Sequence, residues 1–217
     1  MRPSTLLRRL HGCAHRSLRS AGIALPIVLM FLLIITIAAA YGVRRATLGD
    51  GITRNQLDYE VARQAAEAAL RDGQRDLLSP IAAAPCTRGG ARPLKSNLTA
   101  LQWTTACSKG QCIVTPDSLA AGVYASGTNA QPWWPNSKGG RWGDNEVVPA
   151  SCDFDGGVPL GTFTGTPRMR GVERQPEYLL EFIDRPYDPI IRITARGFGA
   201  DINTEVVLQA YVRPPDS

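Results

Sequence analysis

Residues 23–43 read IALPIVLMFLLIITIAAAYGV, a run of 21 residues without a charge in which twelve are Leu, Ile, Val or Phe. At 1.5 Å per residue, a helix of this length just crosses a bilayer. Those twelve side chains alone favour insertion by roughly 4 to 7 kcal/mol. No amphipathic face develops over residues 25–39, so the run does not read as one side of a soluble core helix. Five arginines (Arg2, Arg8, Arg9, Arg16 and Arg19) precede Gly22, and all 19 acidic residues lie at Asp50 or later. The net charge of +5 is therefore an N-terminal property, because the rest of the chain balances 19 basic against 19 acidic residues. Such asymmetry favours a single pass through the inner membrane, with the N-terminus cytoplasmic and the C-terminal part periplasmic; Arg44 and Arg45 on the far side reduce the contrast. No basic groove is left for a phosphate backbone, so no nucleic-acid partner is expected.

An Arg-rich start before an apolar run also suits a cleaved secretory signal, with a cut after Ala40 releasing a soluble periplasmic binding protein. Against this, the apolar core is about twice the usual signal length, and Ala38-Ala39-Ala40 continues into Tyr41 without a turn-forming break. Leu10-His11-Gly12-Cys13 lacks the apolar run that a lipoprotein box needs, and nothing else supports Arg8-Arg9 as a twin-arginine signal. After Val43 the pattern stays helical until Pro80. Leu57, Val61, Ala65, Ala69, Gly73 and Leu77 recur every four residues and predict a packing strip whose small members let a sheet approach the helix axis. Arg54, Asp58, Arg63, Glu67, Arg71 and Asp76 are expected off that strip, with Glu67 and Arg71 spaced to pair. Gly49 and Gly51 each cost about 1 kcal/mol inside a helix, which predicts local unwinding over 48–52. One helix over 23–79 would be about 85 Å long.

Ser20-Ala21-Gly22-Ile23-Ala24-Leu25-Pro26, a basic leader ending in glycine before an apolar helix, resembles the class III signal of type IV pilins. Gln64-Ala65-Ala66-Glu67-Ala68-Ala69-Leu70-Arg71-Asp72 is similar to the N-terminal region of PilX-type minor pilins. Pro176-Glu177-Tyr178-Leu179-Leu180-Glu181 and Arg192-Ile193-Thr194-Ala195-Arg196-Gly197 also resemble that family's closing strands. The resemblance implies cleavage after Gly22 by a prepilin peptidase and methylation of the new N-terminus at Ile23. It implies a minor pilin that helps initiate type IV pilus assembly and supports twitching motility and adhesion. Other minor pilins, the major pilin and a tip adhesin would be its partners, beside the lipid of the inner membrane. Major pilins are similar in carrying a glutamate at the fifth mature position, where this chain has Ile27. A carboxylate there would cost roughly 2.5–3.5 kcal/mol in lipid and persist only for a partner, so its absence suggests a subunit at the pilus tip. The related type II secretion pseudopilin without that glutamate is the other reading; it carries a larger inserted domain than residues 79–174 can provide.

The exported part holds Cys86, Cys107, Cys112 and Cys152, an even set that reads as two disulfides in an oxidising compartment. Three pairings are open; closing each loop locally favours Cys86 with Cys107 and Cys112 with Cys152. A zinc site at Cys107 and Cys112 lacks histidines, since His11 and His15 both lie in the leader, and no metal or cofactor is expected. The same absence leaves no serine–histidine or cysteine–histidine pair for catalysis, so the chain is not expected to be an enzyme. Trp133 and Trp134, flanked by Pro132 and Pro135, and Trp142 after Arg141 suit either a partner contact or the pinning of a long loop. Asp153-Phe154-Asp155-Gly156-Gly157 lacks the later ligands of a calcium loop and reads as a turn. Gly197-Phe198-Gly199 lacks the lysine of a phosphate loop and reads as a hairpin. Alternation over 178–183, 190–195 and 205–212 predicts half-buried strands. The predicted class is α+β and pilin-like: a long N-terminal membrane-spanning helix packed on a C-terminal antiparallel sheet, with long disulfide-crosslinked loops. The predicted segments are a leader over 1–22, a membrane half-helix over 23–43, a periplasmic half-helix over 44–79 and a head over 80–217. Within that head, loops occupy 80–175 and the sheet 176–213.

Overall fold

The computed structural model describes residues 24–78, 84–88, 103–114, 130–143, 151–183 and 189–214. The junction of Gly22 and Ile23 lies outside the described residues, as does Cys13. The chain forms two units, Met1–Gly51 and Ile52–Ser217. One helix, α1 (Ala24–Leu78), supplies the described part of the first unit and the opening element of the second. It ends two residues before Pro80, whose ring disfavours the helical conformation just upstream. Helix runs through Gly49 and Gly51, so the unwinding expected over 48–52 does not occur. Each residue added to a formed helix gains a hydrogen bond, and this offsets the glycine cost.

In the first unit, every side chain over 24–46 is exposed. The most apolar window of this helix has a mean hydropathy of 2.5, long and apolar enough to cross a bilayer. The Thr36 hydroxyl donates to the Leu33 carbonyl at 2.9 Å and so needs no partner from the surroundings.

In the second unit, α1 covers one face of a five-stranded sheet. The strands are β1 (Gln111–Val114), β2 (Val158–Pro159), β3 (Glu177–Ile183), β4 (Ile190–Phe198) and β5 (Glu205–Val212), ordered β1-β3-β4-β5 with β2 also on β3. β3, β4 and β5 are antiparallel neighbours. β1 runs parallel to β3, which makes the sheet mixed where an antiparallel one was expected. β4 extends to Phe198, because Gly197 and Phe198 still pair with Val206 and Glu205. The hairpin turn therefore falls later, where the Gly199 amide donates to the Thr204 carbonyl at 2.9 Å. Alternation holds, but of the three closing strands only β5 is half-buried; β3 is buried on both faces and β4 nearly so.

The helix-facing side carries Tyr178, Leu180 and Phe182 from β3 opposite Ala195, Ile193 and Ile191 from β4, all buried with Ala69 and Leu77 of α1. Ala62, Ala65, Ala66, Ala69, Asp72, Gly73, Asp76 and Leu77 form the buried stripe of α1. Leu57, placed on the packing strip by its spacing, is 63% exposed, and Val61 is half-buried. At 3.6 residues per turn, a strict four-residue repeat drifts about 40° per step, so five steps carry Leu57 roughly 200° from Leu77. The sheet stays on one side and meets alternating steps of three and four instead. Asp76, expected off the strip, is buried for the same reason. Glu67 and Arg71 do pair, at 3.7 Å, on the exposed side.

Contact between α1 and β4 is close enough to exclude a methyl group. A Cβ at Gly197 would lie 2.2 Å from the Ala66 nitrogen and 2.3 Å from the Ala62 oxygen, and one at Gly73 would lie 2.9 Å from the Ile193 side chain. The disulfides join Cys86 to Cys152 and Cys107 to Cys112, replacing the expected pairing of Cys86 with Cys107 and Cys112 with Cys152. A turn brings Cys107 back beside Cys112, with the Gly110 amide donating to the Cys107 carbonyl and the Gln111 amide to the Ser108 carbonyl, both at 2.9 Å. That leaves Cys86 for Cys152, a closure spanning 66 residues and stabilising by about 4 kcal/mol in the chain-entropy account.

Two predictions follow from this packing. Gly197→Val should cost about 3 kcal/mol or more, the upper end for overpacking because the obstructing atoms are backbone, read as a shift of the chemical unfolding midpoint. Asp58, whose carboxylate accepts from the Ala200 and Asp201 amides, is held below its ordinary pKa chiefly by a hydrogen bond from Thr204. Its stabilising contribution is present above a pH of about 4 and lost as pH falls through the lowered folded value. The stability gap between the parent protein and Asp58→Ala should therefore shrink in acid, as measured by unfolding across a pH series.

Candidate functional site

Two charged pairs sit on the sheet face away from α1, directly opposite one another in register: Glu177 with Arg196 and Glu181 with Arg192. Alternation puts them there, one residue out of step with the apolar face. Arg192 donates to both Glu181 oxygens, at 2.7 and 3.0 Å, and Thr194 donates to the same carboxylate. Glu177 accepts from Arg196, and from Arg174 at 3.1 Å. Burial pushes both carboxyl groups above their ordinary pKa, and their arginine partners pull them back. Charges this deep need such complete pairing, because an unpaired one would cost several kcal/mol.

The cover over this layer is residues 130–143, the Trp-rich loop. The Gly143 amide donates to Glu177 at 3.1 Å, and the Gly143 carbonyl accepts from Arg174 and Arg196. Gln131 accepts from Arg192 at 2.9 Å and from the Trp133 ring nitrogen at 2.7 Å. Trp142 donates its ring N–H to the Trp133 carbonyl at 2.8 Å, and its backbone is bracketed by the Asn136 amide at 2.9 and 3.0 Å. The Arg196 guanidinium lies 4.7 Å from the centre of the Trp142 ring. Trp134 is 7% and Trp142 5% exposed, and Trp133 is half-buried. Trp134 and Trp142 are thus packed into the loop and its sheet.

At the C-terminal end of α1 lies a second polar cluster. Arg88 grips Asp76 at 2.8 and 2.7 Å, donates to the Lys109 carbonyl at 2.7 Å and stands 4.0 Å over the Phe163 ring. Burial works against the Arg88 charge, but Asp76 more than offsets it and the pKa rises. Burial, then Asp76, also keeps the Tyr178 hydroxyl protonated far above its usual range, so it donates to Asp76 at 2.8 Å. Asp72 accepts from the Gly161 amide at 2.8 Å and from Thr164 and Thr166. Sequence reasoning missed Asp72 and Asp76, although each lies seven residues after a stripe alanine (Ala65, Ala69), a spacing that marks the buried side. Among the described residues, no group of three His, Cys, Asp or Glu side chains stands close enough for a metal.

Among the described residues, the exposed apolar surface lies on the helix and at one strand. Residues 24–46 are bare in the first unit. In the second, Ile52, Leu57 and Tyr59 of α1, with Ile202, Val207 and Tyr211 at β5 and its hairpin, are the exposed large apolar side chains among the described residues. Glu60, Arg63, Glu67 and Arg71 form a surface ladder at 3.4 to 3.9 Å. Such geometry can pack against other chains and lipid.

Residues 86–214 match the family model described as type IV pilus assembly protein PilX, C-terminal. No curated protein and no solved structure matches the chain.

Trp142→Ala should cost about 3–5 kcal/mol, as for other buried aromatic truncations, and open residues 130–143 to limited proteolysis. Leu57→Ala, at a side chain 63% exposed, should stay within about 0.5 kcal/mol.

Proposed function

The chain belongs to the PilX family of type IV pilus assembly proteins, and from that membership we propose that it acts at the start of pilus assembly and occupies the filament tip. The family is one of structural minor pilins, which work by packing with other pilus components. One observation carries the finer reading: the apolar helix has a complete, uncovered circumference over residues 24–46 and no carboxylate at Ile27. A helix of this kind is at home in lipid and can exchange lipid for neighbouring helices by van der Waals packing. Without a buried carboxylate it brings no charge that calls for a neighbour's amine, which suits a subunit with no neighbour ahead of it.

In this reading a prepilin peptidase cuts between Gly22 and Ile23 on the cytoplasmic side and the new Ile23 amine is methylated. The head faces the periplasm until assembly carries it outward with other minor pilins, the major pilin and a tip adhesin. Twitching motility and adhesion then depend on the filament it helps to start.

Mass spectrometry of the mature protein tests the processing step. A methylated N-terminal Ile23 is expected; an intact leader, or a start at Tyr41, overturns the reading. Deleting the gene should reduce surface pili and twitching sharply, and immunogold against the head should label filament ends. Normal piliation in the deletion strain, or label spread along shafts, would refute the tip role.

A further inference from the structure

The small ring closed by Cys107 and Cys112 stands between the two segments that carry the other cysteines. On one side, the Lys109 amide donates to the Phe154 carbonyl at 2.7 Å and the Gly156 amide donates to the Cys107 carbonyl at 2.9 Å, with Ser108 bridged to Asp155. This is the segment of Cys152. On the other side, the Lys109 carbonyl accepts from Arg88 at 2.7 Å, two residues after Cys86. Lys109 therefore binds the Cys152 segment through its N–H and the Cys86 segment through its C=O. It does so from a left-handed backbone, with φ of 61° at Cys107, 52° at Lys109 and 77° at Gly110. Two of these three are not glycine, so the conformation is one that closure of the ring must hold. Arg88 in turn is seated on Asp76, and the Cys86 amide donates to the Thr162 carbonyl at 2.9 Å.

We propose that the Cys107–Cys112 ring closes first and serves as a template that brings Cys86 to Cys152, with Arg88 as the positioning residue. Each closure converts two thiols into one disulfide; the two protons and two electrons pass to a disulfide oxidant, which leaves as two thiols. Separations of 5 and 66 residues favour the ring by roughly fifty-fold on loop-closure grounds. Once formed, the ring offers both hydrogen-bonding edges of Lys109, and the long closure becomes a local one. The inference concerns how the head is built and stands independently of any role in the pilus.

The test uses the full chain in detergent micelles with Cys13→Ser, reduced, unfolded and refolded with oxidised glutathione. Free thiols are alkylated at intervals and the disulfides mapped by mass spectrometry. The Cys107–Cys112 pair should appear before Cys86–Cys152. In Cys107→Ser/Cys112→Ser the remaining pair should close at least tenfold more slowly. Arg88→Gln should leave ring closure unchanged and slow the second step severalfold. Cys86–Cys152 forming first in the parent, or closing at the parent rate in either variant, would overturn the template.

Discussion

The head depends on how near α1 comes to β4. Helix backbone at Ala62 and Ala66 occupies the place that a side chain on Gly197 would take, so the two elements meet almost main chain to main chain. Alanines along the stripe make that approach feasible, yet each buries little apolar area and contributes little by itself. Larger neighbours supply the remainder: Leu77 from the helix, with Tyr178, Leu180 and Ile193 from the sheet. The short separation also lets the Tyr178 hydroxyl reach across to Asp76, so a polar bond sits inside the apolar layer.

A sheet buried on both sides needs a second layer, and this chain builds it from ion pairs rather than from more aliphatic residues. Buried pairs are weak contributors to net stability, because desolvation cancels most of their attraction, but breaking one is costly. Their value here lies in alignment. Glu177 opposite Arg196 and Glu181 opposite Arg192 fix β3 against β4, since a slip of either strand by one residue would turn its two charged side chains into the helix-facing core.

Much of the frame was legible in the sequence. The uncharged run over 23–43, the long helix, the three closing strands and the pairing of Glu67 with Arg71 all follow from local periodicity, and local periodicity is what a sequence displays. The parts that escaped are non-local. β1 is four residues long and pairs with a strand some seventy residues further on, so nothing beside Gln111–Val114 announces it. The disulfide pairing depends on where the Cys86 and Cys152 segments meet in space. Leu57 falls off the buried stripe because a fixed four-residue step drifts around the helix over five repeats. The tryptophans posed a real ambiguity, since a Pro-flanked aromatic cluster looks the same whether it covers its own sheet or another molecule.

The way residues 130–143 are held has an evolutionary consequence. Gly143 presents only main-chain atoms to Glu177, Arg174 and Arg196, and Trp133 offers its backbone to Glu181 and to Trp142. At Gly143 and at the Trp133 main chain the clamp reads amides and carbonyls, while Gln131, Asn136 and Trp142 act through their side chains. Exposed positions such as Ser137 and Lys138 can therefore change while the loop keeps its seat.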